Sequence, residues 1–216
     1  MLHTIAQIDD TTMITHSVYN DQASLDAGAV KGALPHVDPA EIAKVLDGPG
    51  TQMTGSVVFE TFASRAVGAI STSVMTVDDG NMDEVMAWSR AYDVRAVPGR
   101  FRMLMTQVDA NTLVACSFYD TVESLEARNA GDGADMKEVS SLFQNVERVA
   151  GPVAWYASGT GPRTYADSRV ASMRRMKVQH GNFVVLGYFS RVCFAEFCVP
   201  LHTRRVACSL PTVHAH

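Results

Sequence analysis

The sequence repeats itself at an offset of 100 residues. Met1 to Ala27 lies over Phe101 to Ala127 without a gap, matching Gln7 to Gln107, Asp9 to Asp109, Thr12 to Thr112, Ser17 to Ser117 and Tyr19 to Tyr119. Ser24, Leu25 and Ala27 likewise match Ser124, Leu125 and Ala127, and Ile8/Val108, Ile14/Val114 and Asp26/Glu126 are conservative pairs. Self-similarity over such a length reports one structural unit used twice. The chain must therefore fold as two related units.

The second copy shows the order of elements within the unit. Gly68 to Val77 is rich in β-branched residues and ends at Asp78-Asp79-Gly80, which predicts a strand and a turn. After Asn81 the spacing of Met82, Val85, Met86, Ser89 and Tyr92 predicts a helix, ended by Pro98-Gly99. Phe101 to Val108 and Thr112 to Tyr119 read as an antiparallel hairpin about Asp109-Ala110-Asn111. Asp120 is expected to cap a helix through Glu126, interrupted at Gly131 and Gly133 and resumed over Met136 to Phe143. Val146 to Tyr156 reads as a final strand. The order is βαββαβ, the ferredoxin-like α+β arrangement.

The first copy begins at the hairpin, Leu2 to Ile8 and Thr12 to Tyr19. A broken helix over Asp21 to Ala29 and Pro39 to Leu46 follows, then a strand over Thr51 to Phe59, whose Gly55, Val57 and Phe59 match Gly151, Val153 and Trp155 at an offset of 96. The unit's first strand and helix are expected ahead of this hairpin, and the first copy is read as lacking them. Three segments result: a partial ββαβ repeat over residues 1–62, a complete repeat over 63–158, and a tail over 159–216. A ferredoxin-like sheet places its first strand between the third and fourth, so an empty position with two unpaired edges is expected in the first repeat. A loose N-terminal half follows from this, unless a tail strand at 182–189 or another chain fills the gap.

Charge divides the chain. Residues 1–159 carry ten Lys and Arg against twenty-one Asp and Glu, and residues 160–216 carry eight against two. An acidic body without a basic stripe argues against nucleic-acid binding. The tail reads as non-native sequence, with a weak metal alternative at Cys193, Cys198, His202 and Cys208, whose spacing lacks the tight knuckle of zinc sites. Arg191 and Glu196 interrupt the apolar run from Phe183 to Leu201 and argue against a membrane span. With no visible signal peptide and no disulfide framework, a cytoplasmic location is expected.

The segment Ser-Phe-Tyr-Asp-Thr-Val-Glu-Ser-Leu-Glu-Ala at 117–127, echoed as Ser-Val-Tyr-Asn-Asp-Gln-Ala-Ser-Leu-Asp-Ala at 17–27, resembles the antibiotic biosynthesis monooxygenase-like family of dimeric α+β barrels. The resemblance covers residues 1 to about 157. It implies two ferredoxin-like units packed into one barrel, as an intramolecular pseudo-dimer or a homodimer, each unit with a pocket between sheet and helices. It also implies oxidation of a small aromatic or quinol-type molecule without metal, flavin or other cofactor, or a non-catalytic ligand-binding or assembly barrel of the same fold. Family members often carry a histidine early in the second helix; here Arg128 stands near that place in one copy and Gly28 or Ala29 in the other.

Oxidation by dioxygen alone requires a substrate ionised to an electron-rich anion, hence a base, a donor to the anion and dryness. Tyr119, Gln107 and Ser117 are the catalytic candidates; Trp88, Tyr92, Phe118 and Arg102 are the substrate-binding candidates. Each has a structural reading beside the functional one: a strand-end aromatic, a hairpin amide, helix-to-sheet core or a surface arginine. Alternation puts Leu113, Ala115, Ser117 and Tyr119 on one strand face and Thr112, Val114, Cys116 and Phe118 on the other. Tyr19 and His16, in the first copy, are assigned to a site that is not expected to close.

Overall fold

The computed structural model describes residues 2–31, 44–48, 50–61, 65–91, 97–130, 139–158 and 169–179. The elements are β1 (Leu2–Gln7), β2 (Thr12–Tyr19), α1 (Gln22–Lys31), β3 (Thr51–Thr61), β4 (Ala69–Val77), α2 (Met82–Ala91), β5 (Arg100–Gln107), β6 (Thr112–Tyr119), α3 (Val122–Ala130), β7 (Phe143–Ser158) and β8 (Val170–Lys177). The strands close into an antiparallel barrel in the order β1-β2-β8-β3-β5-β6-β4-β7. β5-β6-β4-β7 is the strand order of the complete ferredoxin-like repeat, and β1-β2-β8-β3 is the same order with β8 in the place of the first strand.

The expected gap is therefore filled. β8 pairs along its whole length with β2, from Thr12↔Lys177 to Tyr19↔Val170, and on its other edge with β3, from Thr51↔Arg175 to Ser56↔Val170. Its register matches that of β4, because Ser172 lies opposite Ser17 as Ser71 lies opposite Ser117. Ser172, Met176 and Val178 fall on Ser71, Met75 and Val77 at an offset of 101. Part of the tail is thus the missing strand, upstream of the expected 182–189, which lies outside the described residues. The N-terminal sheet is not left with unpaired edges.

Local chemistry explains why the repeat was visible. In both hairpins an aspartate closes the turn: Asp109 Oδ1 accepts from the Asn111 and Thr112 amides at 2.9 and 2.8 Å, and Asp9 Oδ1 from the Thr11 amide at 2.8 Å. Asp21 caps α1 by accepting from the Ser24 amide at 2.7 Å. In the second repeat Thr121 Oγ1 accepts the equivalent amide of Ser124 at 3.1 Å, so the cap lies one residue beyond the expected Asp120, which instead accepts from the Ser124 hydroxyl at 2.7 Å. α2 carries Asp83 and Glu84 in its first turn and Arg90 in its last, matching the helix dipole, and buries Val85, Met86 and Ser89. Phe143, expected at the end of a helix, opens β7 after a 3-10 turn at Ser140–Leu142.

The strands other than β3 and β7 bury residues on both faces. Leu2, Ala6, Val18, Ile70, Leu104, Cys116, Phe118 and Ala171 pack together inside the barrel. Met75, Val77, Met103, Met105 and Leu113 form the outer face of the second half, where Val85 and Met86 of α2 cover them. Two glycines close the seams between the halves. A Cβ on Gly55 would come within 1.9 Å of the Gln107 carbonyl oxygen, and one on Gly151 within 1.9 Å of the Gln7 carbonyl oxygen. The repeated Gly and Gln pairs thus mark two equivalent backbone contacts.

Candidate functional site

Register places the site residues on the outer face of the second half. Ser117 lies opposite Met103 on β5 and Ser71 on β4, and Ala115 lies opposite Met105 and Ser73, with Arg148 of β7 beyond Ser73. Tyr119 faces Arg100 across the β5–β6 pair. Trp88 of α2 and Arg128 of α3 reach the same space, and these side chains line a cavity of about 110 Å³. That is below the ~150 Å³ of an apolar protein cavity that admits benzene, so a single ring fills it and a larger ligand must extend out of it.

Of the seven candidates, the cavity brings together Trp88, Ser117 and Tyr119. Tyr92 lies outside the described residues. Phe118 is fully buried on the opposite strand face, inside the barrel. The Arg102 guanidinium lies 5.1 Å from the centre of its ring and donates to Glu60, which also accepts from Arg169. A bulge between Arg100 and Arg102 explains this: it leaves Arg100 at the cavity and sends Phe101 into the barrel core, so Arg102 is neither exposed nor part of the cavity wall. Gln107 ends β5 against Gly55 at the seam.

The sequence reading missed Arg100, Arg128, Arg148, Ser71 and Ser73, all of which line the cavity. Strand alternation over 69–77 was a signal for the two serines. Arg128 carried another, standing near the place where the family that the sequence resembles often carries a helix histidine. Arg148 Nε donates to Ser71 Oγ at 2.6 Å, which fixes both side chains. The described lining thus combines sulfur and aromatic walls with three guanidinium groups, three serine hydroxyls and a phenol.

The barrel interior has different chemistry. Burial pushes the Cys116 thiol up to about 12, against the smaller opposing effects of its Thr72 contact and the Arg102 charge. A thiol held protonated is no nucleophile. His16, at the position equivalent to Cys116, is lowered to about 3, first by burial and then by the nearby His3, and its Nε2 hydrogen-bonds Thr72 Oγ1 at 2.8 Å. His16 therefore belongs to the core rather than to an outer site. Among the described residues no group of three or more His, Cys, Asp and Glu is arranged to hold a metal ion. No described helix is long and apolar enough to cross a membrane.

No protein-family model matches this sequence, and no curated protein matches it. Solved structures do. A proposed monooxygenase of Fusobacterium nucleatum subsp. nucleatum aligns over 74% of this chain and 79% of its own, at 13% identity and a TM-score of 0.51. An anthrone oxidase-like protein aligns over 77% and 81%, also at 13% identity and a TM-score of 0.51. A shorter ferredoxin-fold protein of Listeria monocytogenes, related to antibiotic biosynthesis monooxygenases, aligns over 67% and 96% at 12% identity and a TM-score of 0.36. This chain shares the fold of the first two.

Proposed function

We propose that the chain is a cofactor-independent oxygenase of a small aromatic or quinol-type molecule, acting in the cavity of the second repeat. The observation that carries the reading is the convergence of Tyr119, Ser117 and Ser71 with Arg100, Arg128 and Arg148 around a space walled by Trp88 and methionines. Guanidinium groups beside a largely apolar wall lower the pKa of a bound phenol, because its anion gains a partner in a medium of low dielectric. The substrate then supplies the reducing power. Its anion passes one electron to dioxygen, and the resulting radical and superoxide join at a ring C–H carbon. The hydroperoxide loses water to leave a carbonyl. One dioxygen is consumed and one water released, as in 1-naphthol to 1,4-naphthoquinone. Tyr119 and Ser117 donate to the substrate oxygen, and Trp88 stacks on the ring.

The described lining contains no histidine or carboxylate, and this favours a second reading, a barrel that binds such an anion without turning it over. Incubation with 1-naphthol in an oxygen electrode separates the two. Turnover consuming one dioxygen per carbonyl formed, abolished anaerobically, supports the oxygenase. Saturable quenching of tryptophan fluorescence without oxygen uptake supports the binding protein.

A further inference from the structure

The outer face of the first half carries a row of four polar side chains, two of which stand where the second half has Met103 and Ala150. His3, Ser17, Ser172 and Thr54 stand side by side on β1, β2, β8 and β3. By register these are the places of Met103, Ser117, Ser71 and Ala150. One step along, Arg174 lies between Thr15 and Gln52, where the second half has Ser73 between Ala115 and Arg148. A sheet face that only packs against helices is apolar. This one instead buries hydroxyls: Ser17 and Ser172 are each 8% exposed.

Hydrogen bonds join the row in two groups, His3 with Ser17 and Ser172 with Thr54, Gln52 and Arg174. His3 Nδ1 pairs with Ser17 Oγ. Ser172 Oγ is contacted by Gln52 Nε2 and Thr54 Oγ1, both at 3.2 Å, and Gln52 Oε1 accepts from Arg174 Nε at 2.9 Å. The two ends differ. Half-buried His3 stands beside buried Ser17, whereas Gln52 and Arg174 are exposed. Burial lowers His3 to about 4, so its imidazole is neutral at physiological pH and can accept a hydrogen bond. Two strand spacings, about 10 Å, separate the His3 strand from that of Ser172 and Arg174.

We propose that this row is a second ligand site, which takes an elongated molecule with a hydroxyl at one end and an anionic oxygen group at the other. The hydroxyl donates to His3 at the covered end. The anion accepts from Arg174, Gln52 and Ser172 at the open end. β8 supplies two of these residues, so the site exists only because that strand completes the sheet.

6-Hydroxy-2-naphthoate has this polarity and is fluorescent, and it can be titrated into the full chain. Expected are a binding event weakened tenfold or more by His3→Met, which restores the residue of the second repeat, and by the exposed change Arg174→Ala. Arg148→Ala, in the other cavity, leaves it unchanged. Saturation is also expected to shift the His3 ring signals, identified by NMR through their loss in His3→Met. Should His3→Met fail to fold, His3→Gln replaces it both for the affinity and for identifying the ring signals. No binding, binding indifferent to both first-half variants, or weakening by Arg174→Ala alone with the His3 signals unmoved would each overturn the proposal. The probe is itself a naphthol, so any binding in the second-repeat cavity is identified by its loss in Arg148→Ala, and oxygen uptake with 1-naphthol is scored apart from it.

Discussion

His16 and His3 tie the fold to pH. Both ionise near 6.5 in an unfolded chain and are lowered to about 3 and about 4 in the folded one. Between those values the unfolded state binds protons that the folded state does not. Stability is therefore complete above pH 6.5 and is lost as pH falls from 6.5 toward 3, by roughly 1.4 kcal/mol per pH unit for each histidine. Urea unfolding at pH 7.5, 6.5 and 5.5 should show this slope, and His16→Leu should remove about half of it. In the second repeat, Tyr119→Phe keeps the ring, which is 1% exposed, and deletes only its hydroxyl. Loss of one donor to a developing anion costs on the order of 10²-fold in turnover, so oxygen uptake should fall that far while the melting temperature barely moves. Strand alternation made Tyr119 and Ser117 legible from sequence, but it could not foresee Arg102, because the bulge after Arg100 reverses which side chains face the barrel.

Among the elements, β8 is the one that chain order concealed. The hairpins announced themselves through Asp9 and Asp109, and α2 through its apolar stripe. β8 matches β4 at only three of the nine positions from 170 to 178, at an offset of 101 rather than 100, and Arg174 and Arg175 stand among them. Read in sequence it belongs to a basic tail; in space it lies between β2 and β3. Amide exchange should therefore protect residues 12–19 and 51–56 about as strongly as 112–119. A proline at Ala171, in the ladder between two strands, should destabilise the protein by several kcal/mol and raise exchange first in β2 and β3. Unchanged protection in that variant would mean that β8 contributes little to the sheet.

Across the whole molecule, the halves meet at two seams, β3 with β5 and β7 with β1. Each seam has a bulge, between Val57 and Phe59 and between Ile5 and Ala6, and each has a glycine against a glutamine carbonyl. Gly151→Ala forces a methyl against backbone that cannot rotate away, and overpacking of this kind costs about 1–3 kcal/mol. Because both seams share one closed sheet, the variant should lower a single unfolding transition, seen alike by tryptophan fluorescence and far-ultraviolet circular dichroism. Separate transitions for the two halves would show that closure does not couple them.

The position of β8 also sets a timetable for synthesis. Lys177 bonds Thr12 across 165 residues of sequence, whereas every strand of the second half lies between residues 69 and 158. On the ribosome the later-made half can close its sheet first. The hairpin made earliest must wait, its edge unpaired, until almost the whole barrel has emerged. Such an edge is a template for pairing with another chain, so a polysome carrying several copies of this nascent protein is where misassembly would begin, and a chaperone that shelters residues 12–19 would act there.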